Sequence, residues 1–191
     1  MRLNPSAPVI PFVIRGIFVS TLMAAFATTV CAADKIFLKL DGITGASTDA
    51  RHRDEIDITS YAQSFRNGAN FGFGGGGGAG RVSCGDITVL KNIDRSSPQL
   101  IMHVTTGRHV RSGVITFSTG GERPVEYYKV QLNEVLIDAV EQVDPPGDAG
   151  LTEKVSLKVR QFNFTYVPQD DKGQPGTPVT FGWDCASNSR L

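Results

Sequence analysis

The chain has 191 residues, a length that one folded domain normally accounts for. Lysine plus arginine and aspartate plus glutamate both number 19, so the formal net charge is zero, which argues against a nucleic-acid binder because such proteins need a basic excess to neutralise phosphates. Hydrophobic residues make up 40% and charged residues 20%, the composition of an ordinary globular protein.

The N-terminus has the ordering of a secretory signal peptide, residues 1–33. Arg2 and Arg15 supply positive charge, an apolar run without acids follows, and small residues predict cleavage after Ala33 or one residue earlier. The alternative is a membrane anchor, but the apolar run is shorter than the roughly 20 residues that a bilayer span needs. We therefore expect residues 34–191 to be the mature domain, with no membrane contact after cleavage.

Alternation of apolar and polar residues indicates that the mature chain is mostly β-strand. Strands are predicted in chain order at residues 36–40, 56–65, 81–90, 110–117, 128–133, 155–166 and 179–183. In the sixth of them, the apolar positions change from odd to even numbers after Val159. This change of phase predicts a β-bulge near Arg160 and Gln161.

One stretch has the features of a helix. Ser96 or Ser97 can cap it, Pro98 suits its first turn, and Gly107 lies where it would end. Its expected apolar stripe consists of Leu100, Ile101 and Val104. One short helix among about seven strands predicts an all-β fold, closed as a barrel or packed as a sandwich.

Two long connections lie between the predicted strands. Residues 41–54 are polar and rich in small residues, so we expect a long exposed loop that is functional or ordered by a partner. Residues 67–80 are mostly glycine, and the dinucleotide pattern that they formally contain is not followed by a helix that could bind phosphate. A flexible connection is the favoured interpretation of the glycine run.

The sequence predicts no catalytic, cofactor-binding or metal-ligating residue. His52, His103 and His109 lack the spacing of a metal site, and the chain contains no Gly-x-Ser-x-Gly elbow. Cys84 and Cys185 remain after cleavage of the signal peptide. In an oxidising compartment they could form a disulfide, and the alternative is two separate thiols.

Several sequence blocks resemble a known family. The predicted mature chain opens with KIFLKLDGITGASTD at residues 35–49, followed by His52. Further blocks are SPQL at 97–100, TGRHV at 106–110, GGE at 120–122, EYYK at 126–129, EKVSL at 153–157, FTYVPQ at 164–169 and PVTFGWD at 178–184. In this order they cover nearly all of residues 34–185, and together they resemble the haemolysin-coregulated protein (Hcp) family, the tube protein of type VI secretion systems.

The resemblance implies a β-barrel of two packed antiparallel sheets with one short flanking α-helix, and no catalytic centre or cofactor. Six protomers would form a ring, and rings would stack into a tube. The partners would be other copies of the chain, secreted effector proteins, and tip or sheath proteins. Contacts to a neighbouring subunit or ring would come from the long loop, through Gly42, Ile43, Thr44, Gly45, Ser47, Asp49 and His52.

The signal peptide departs from the family pattern, because type VI tubes assemble in the cytoplasm and members start at residues matching Asp34. One interpretation is export to the periplasm or the outside of the cell. The other is a misassigned start with cytoplasmic assembly, which the position of Met23 inside the apolar run disfavours. Export also favours the Cys84–Cys185 disulfide. The alternative function is an exported β-barrel binding module that forms no tube.

Overall fold

Strands dominate the computed structural model, which describes residues 33–68, 80–121, 123–144, 150–170 and 173–191. Within these residues the elements are β1 (Lys35–Leu40), β2 (Ile56–Ile58), β3 (Ser60–Ala62), β4 (Phe65–Asn67), β5 (Val82–Cys84), β6 (Ile87–Asn92), α1 (Ser97–Thr106), β7 (His109–Ser118), β8 (Glu126–Val143), β9 (Thr152–Tyr166), β10 (Val179–Asp184) and β11 (Ser189–Arg190). The predicted signal peptide, apart from its last residue, and most of the glycine-rich connection lie outside the described residues.

Nine of these strands form one antiparallel sheet. Its main path runs in the order β11-β10-β9-β8-β7-β1-β2, while β6 pairs with β9, and β3 pairs with β6. The long strand β9 pairs with β8 along one edge, and its other edge is divided between β6 and β10. Strands β4 and β5 form a separate two-stranded sheet, the β4–β5 hairpin.

The predicted all-β class with one helix is confirmed, but the sheets are not closed into a barrel. Among the described strands, β2 pairs with β1, and β3 pairs with β6. Both β2 and β3 are only three residues long. Thr59 between them donates its backbone N–H to the Leu90 carbonyl at 2.8 Å. The chain therefore changes partner within Ile56–Ala62, and the sheet bends round its core without a complete ring of paired strands.

Alternate residues of the strands fill the core. Leu38, Ile56, Ile115, Val130 and Leu157 are all at most 1% exposed, as expected where one face of each strand packs inward and the other faces water. This alternation of buried and exposed residues is why the sequence predicts the long strands. The predicted strand at residues 56–65 is divided instead into β2, β3 and the start of β4.

The helix begins and ends as predicted, but one of its expected core residues is exposed. Pro98 lies in the first turn, and Gly107 ends the helix with a left-handed φ of 64°. Leu100 is 1% exposed, whereas Ile101 is 39% exposed, so the prediction for Ile101 is wrong. His103 is buried instead, because it follows Leu100 at the three-residue spacing of one helix face.

The bulge predicted near Arg160 and Gln161 is wrong. Residues on both sides of Arg160 pair with β8 in the same register. The facing residue of β8 is Glu134, whose φ of 55° lies in the left-handed region. At this point the buried side chains change from even to odd positions in β8 and from odd to even positions in β9. The register of β8 shifts farther along, between Ile137 and Ala139.

A buried ionic network joins the helix to the sheet. The Lys91 ammonium lies 2.9 Å from both Glu153 Oε2 and Asp94 Oδ1, and it donates to Ser97 Oγ at 3.1 Å. Ser97 Oγ donates to Glu153 at 2.6 Å, and Gln142 donates to the other Glu153 oxygen at 3.0 Å. Lys91 and Glu153 are 1% and 0% exposed. This network fixes the start of α1, which in turn holds the long loop described next.

Candidate functional site

The long loop after β1, residues 41–54, folds back on its own chain. Its backbone closes through hydrogen bonds from Gly45 N–H to the Asp54 carbonyl (2.8 Å) and from Asp54 N–H to the Ser47 carbonyl (3.0 Å). Ile43, Ser47 and His52 are each at most 6% exposed. Most other positions of the loop are exposed, as predicted, but these three side chains pack inside the protomer.

His52 ties the loop to β1 and to the start of β8. Its ring stacks on Phe37 with centroids 4.0 Å apart. Its Nδ1 lies 2.9 Å from Glu55 Oε2, and its Nε2 lies 3.5 Å from Glu126 Oε1. A hydrogen bond from Lys129 is the main cause that holds the pKa of Glu126 below its ordinary value. The positive charge of Lys129 and a smaller contribution from His52 lower this pKa further, while burial of the carboxyl raises it.

Arg51 fastens the loop to the connection between β7 and β8. Its guanidinium donates to the Pro124 carbonyl at 2.8 Å and to Ser118 Oγ at 3.3 Å. The same group lies 3.9 Å from Glu126 Oε1. Three types of contact therefore converge on this side of the loop: aromatic stacking, hydrogen bonds and opposite charges.

The helix side holds the other half of the loop. Gln99 Oε1 accepts a hydrogen bond from the Thr44 N–H at 3.1 Å. The Arg95 guanidinium donates both to the Gly45 carbonyl and to the Asp54 carboxylate. The loop is thus held from α1 and from the β7–β8 connection, both distant from it in sequence.

This arrangement limits which predicted contact residues can face another subunit. Of the seven loop residues predicted to make subunit contacts, Gly42 and Thr44 are exposed and Asp49 is partly exposed. The side chains of Ile43, Ser47 and His52 are covered by their own chain, and Gly45 is buried as well. A direct contact would come from the exposed positions, which also include Ala46, Thr48 and Ala50.

Replacing Gly45 by alanine is expected to displace the loop. An added Cβ would overlap the backbone carbonyl of Glu55, the residue before β2. The overlapping atoms belong to the backbone, so no flexible side chain can move aside. We expect a loss of about 1–3 kcal/mol in the free energy of unfolding, measured with urea. Ala46→Ser, at an exposed neighbouring position, is the control, and an equal effect of the two changes would contradict this account.

The second feature is the link between the β4–β5 hairpin and the end of β10. Cys84 of β5 and Cys185 are bonded as a disulfide, with Cα atoms 6.2 Å apart and positions 101 apart in sequence. Asp184 fixes the turn at Cys185 by accepting backbone hydrogen bonds from Ala186 and Ser187. A hydrogen bond from Gln161, followed by these N–H groups, lowers the pKa of Asp184 to about 2.

An apolar groove lies between the hairpin and the main sheet. This groove has a volume of about 460 Å³ and is lined by Phe65, Val82, Tyr128, Phe164, Phe181 and Trp183. Phe65 and Phe181 are 43% and 47% exposed, so the groove opens to the surface. Its lining can accept an apolar side chain or a flat apolar group.

Sequence reasoning missed this groove. The signal available was the pairing of aromatics two residues apart in each of two predicted strands, Phe162 with Phe164 and Phe181 with Trp183. Such spacing places both members on one face. What the sequence did not reveal is the antiparallel register that sets Phe164 opposite Phe181, and the hairpin that closes the other side.

The three histidines considered as metal ligands lie on different elements. His52 belongs to the loop, His103 Nδ1 lies 3.1 Å from the Arg108 carbonyl at the end of α1, and His109 is exposed at the start of β7. Among the residues that the structure describes, no group of three or more His, Cys, Asp or Glu side chains could hold a metal ion. Nor is any helix in the described ranges long and apolar enough to cross a bilayer.

Comparison with known proteins identifies the family. The family described as "Type VI secretion system effector, Hcp" matches residues 37–166. The chain belongs to the Hcp family. An Hcp relative, Protein hcp1 of Pseudomonas aeruginosa, is 36% identical over 155 residues, which cover 80% of this chain and 96% of that protein.

Solved Hcp structures share the fold. The crystal structure of Hcp1 from Salmonella typhimurium has a TM-score of 0.68 at 28% identity and covers 83% of this chain and 99% of its own. A structure described as a type six secretion system protein has a TM-score of 0.79 at 22% identity, with 83% and 100% covered, and this likeness shows the fold alone. The function predicted from the sequence blocks, a type VI secretion protein of the Hcp family, is confirmed.

Proposed function

We propose that six copies of this chain form a ring, and that rings stack into a tube through which or with which secreted effectors leave the cell. The observation that carries the proposal is the Hcp family match over residues 37–166. Tip and sheath proteins would contact the tube from outside. The protein would act through its shape and surface, without catalysis.

Two different exposed surfaces support a head-to-tail ring. Such a ring needs two unlike patches on each protomer, because each patch contacts the other patch on the next copy. The exposed positions of the loop supply a polar patch whose shape is fixed from within. The apolar groove supplies a second patch, of the kind that marks an interaction site on a protein surface.

Export of the protein is the second part of the proposal. Residues 1–33 would be a signal peptide, and the mature chain would begin at Asp34 in the periplasm or outside the cell. The Cys84–Cys185 disulfide supports this location, because such bonds persist in oxidising compartments and are rare in the cytoplasm. A misassigned start with assembly in the cytoplasm is the competing interpretation.

The solution mass tests both parts. Light scattering on a size-exclusion column should give a mass near six protomers, and the intact mass of the same sample should correspond to a chain that begins at Asp34. Thr48→Arg, at an exposed loop position, is expected to lower the oligomer mass, because a bulky charge would disturb a packed contact.

The control for that variant is Thr48→Ser, which should keep the wild-type mass. A clean monomer at all concentrations would overturn the ring and leave the second candidate, an exported binding module, which the open apolar groove favours. An oligomer whose chain still carries residues 1–33 would overturn the export proposal and keep the ring.

A further inference from the structure

We propose that the Cys84–Cys185 disulfide is a redox-controlled connection. Its reduction would release the β4–β5 hairpin from the main sheet and uncover the aromatic side chains beneath it. The supporting contacts lie within one protomer, although the groove that the hairpin borders is also the second patch of the proposed ring.

The hairpin forms its own small sheet, and along the chain its strands follow β3 and precede β6. Its two strands pair with each other over three residue pairs and, in the part of the chain that the structure describes, with no strand of the nine-stranded sheet. Beyond the disulfide, Val82 N–H donates to Asn188 Oδ1 at 2.9 Å, and Arg81 donates to the Ala186 carbonyl at 3.3 Å. Two-stranded hairpins gain little stability from their own pairing, so loss of the covalent bond would weaken the attachment.

Aromatic side chains lie directly under the hairpin. Phe65 of β4 meets Phe162 and Phe164 edge to face, with centroids 5.5 and 5.8 Å apart. Phe162 is 1% exposed, and Phe65 itself is 43% exposed. Departure of β4 and β5 would therefore expose ring surface of Phe162 and Phe164 and widen the groove beside Trp183.

The bond is open to a small reductant. Cys84 and Cys185 are both partly exposed and border an open cleft of about 300 Å³ together with Arg81, Lys158 and Asp86. Basic groups near a sulfur stabilise its thiolate and so assist its departure. Of the two basic residues, Lys158 is engaged by Asp138 at 2.5 Å and by Asp86 at 3.7 Å, while Arg81 borders the cleft from the hairpin side.

The reductant would be a low-molecular-weight thiol, RSH. One thiolate attacks a sulfur of the Cys84–Cys185 bond, giving a mixed disulfide and a free cysteine thiolate. A second thiolate then releases the other cysteine as RSSR forms. Two electrons and two protons pass from two RSH to the protein, which ends with two Cys thiols. In the reducing cytoplasm the hairpin would be unlinked, and in an oxidising compartment it would be fixed.

Hydrogen exchange read by mass spectrometry tests the proposal on the protein expressed from its full reading frame. Reduction with dithiothreitol, verified by the appearance of two additional thiols, should speed exchange in peptides that contain β4 and β5 by about tenfold or more. Peptides of β7 and β8, which exchange only when the main sheet opens, should remain much better protected than those of β4 and β5. The chain has one tryptophan, so the fluorescence of Trp183, which lines the groove, should change in the same titration.

The double variant Cys84→Ala/Cys185→Ala should show fast exchange in β4 and β5 without reductant and no response to dithiothreitol. Because that variant could fail to fold, reduction of the wild-type chain is the deciding measurement. Unchanged exchange in β4 and β5 after full reduction would overturn the proposal, and so would exchange of β7 and β8 as fast as that of β4 and β5. The mass measured in parallel reports separately on the ring.

Discussion

Replacing Glu153 by alanine is expected to destabilise the protein by about 3–5 kcal/mol, the cost of breaking a buried ion pair by removing one partner. The change would leave the Lys91 ammonium, which is 1% exposed, with Asp94 as its remaining carboxylate partner. It would also remove the acceptor of Ser97 Oγ and of Gln142. Urea unfolding, monitored by circular dichroism, measures the loss.

The surface pair formed by Lys154 and Glu141 is the matched control. Lys154 follows Glu153 in β9 and pairs with Glu141 of β8 at 3.1 Å, but both side chains are more than 40% exposed. Glu141→Ala should cost about 0–1 kcal/mol, since water screens exposed pairs. Equal losses for Glu141→Ala and Glu153→Ala would show that the buried network does not stabilise the fold in the way described.

The effect of Glu153 should also depend on pH. Burial opposes ionisation of this carboxyl, but hydrogen bonds from Ser97, Gln142 and Lys91 outweigh burial and lower its pKa. A carboxyl with a lowered pKa stabilises the fold above its unfolded pKa of about 4.3, and the stabilisation is lost as the pH falls through its folded pKa. The difference in stability between wild type and Glu153→Gln should therefore shrink below about pH 4.

Removing the disulfide is expected to lower the free energy of unfolding by about 2–5 kcal/mol. The bond joins residues 101 apart in sequence, and a link across so long a stretch restricts the unfolded chain strongly. Urea unfolding of Cys84→Ala/Cys185→Ala against oxidised wild type measures the difference. Dithiothreitol should destabilise the wild type and leave the variant unchanged, and a wild type indifferent to dithiothreitol would contradict the expectation.

The sequence was most informative where a pattern is local. The strands predicted at residues 110–117, 155–166 and 179–183 correspond to β7, β9 and β10, because one buried and one exposed face repeat every two residues. The helix followed from Pro98 and Gly107 at its ends. Local patterns misled where the environment decides, as for Ile101, which has the character of a core residue and lies on the exposed face.

The candidate site was less readable, because distant residues create it. Nothing near Lys91 indicates that Glu153, 62 residues away, enters the core beside it. The loop was recognised from its composition, but its burial depends on Phe37 and Glu126, which no local pattern connects with His52. The disulfide remained one of two alternatives because the sequence does not give the distance between Cys84 and Cys185.

The anchored loop has a consequence for how tightly copies of the chain could associate. A segment that becomes ordered as it binds loses conformational entropy at that moment, and this loss weakens the complex. Here Arg51, Arg95 and Gln99 already hold the loop in the lone protomer. Its exposed residues are therefore preorganised, so more of the contact energy between subunits is available for affinity.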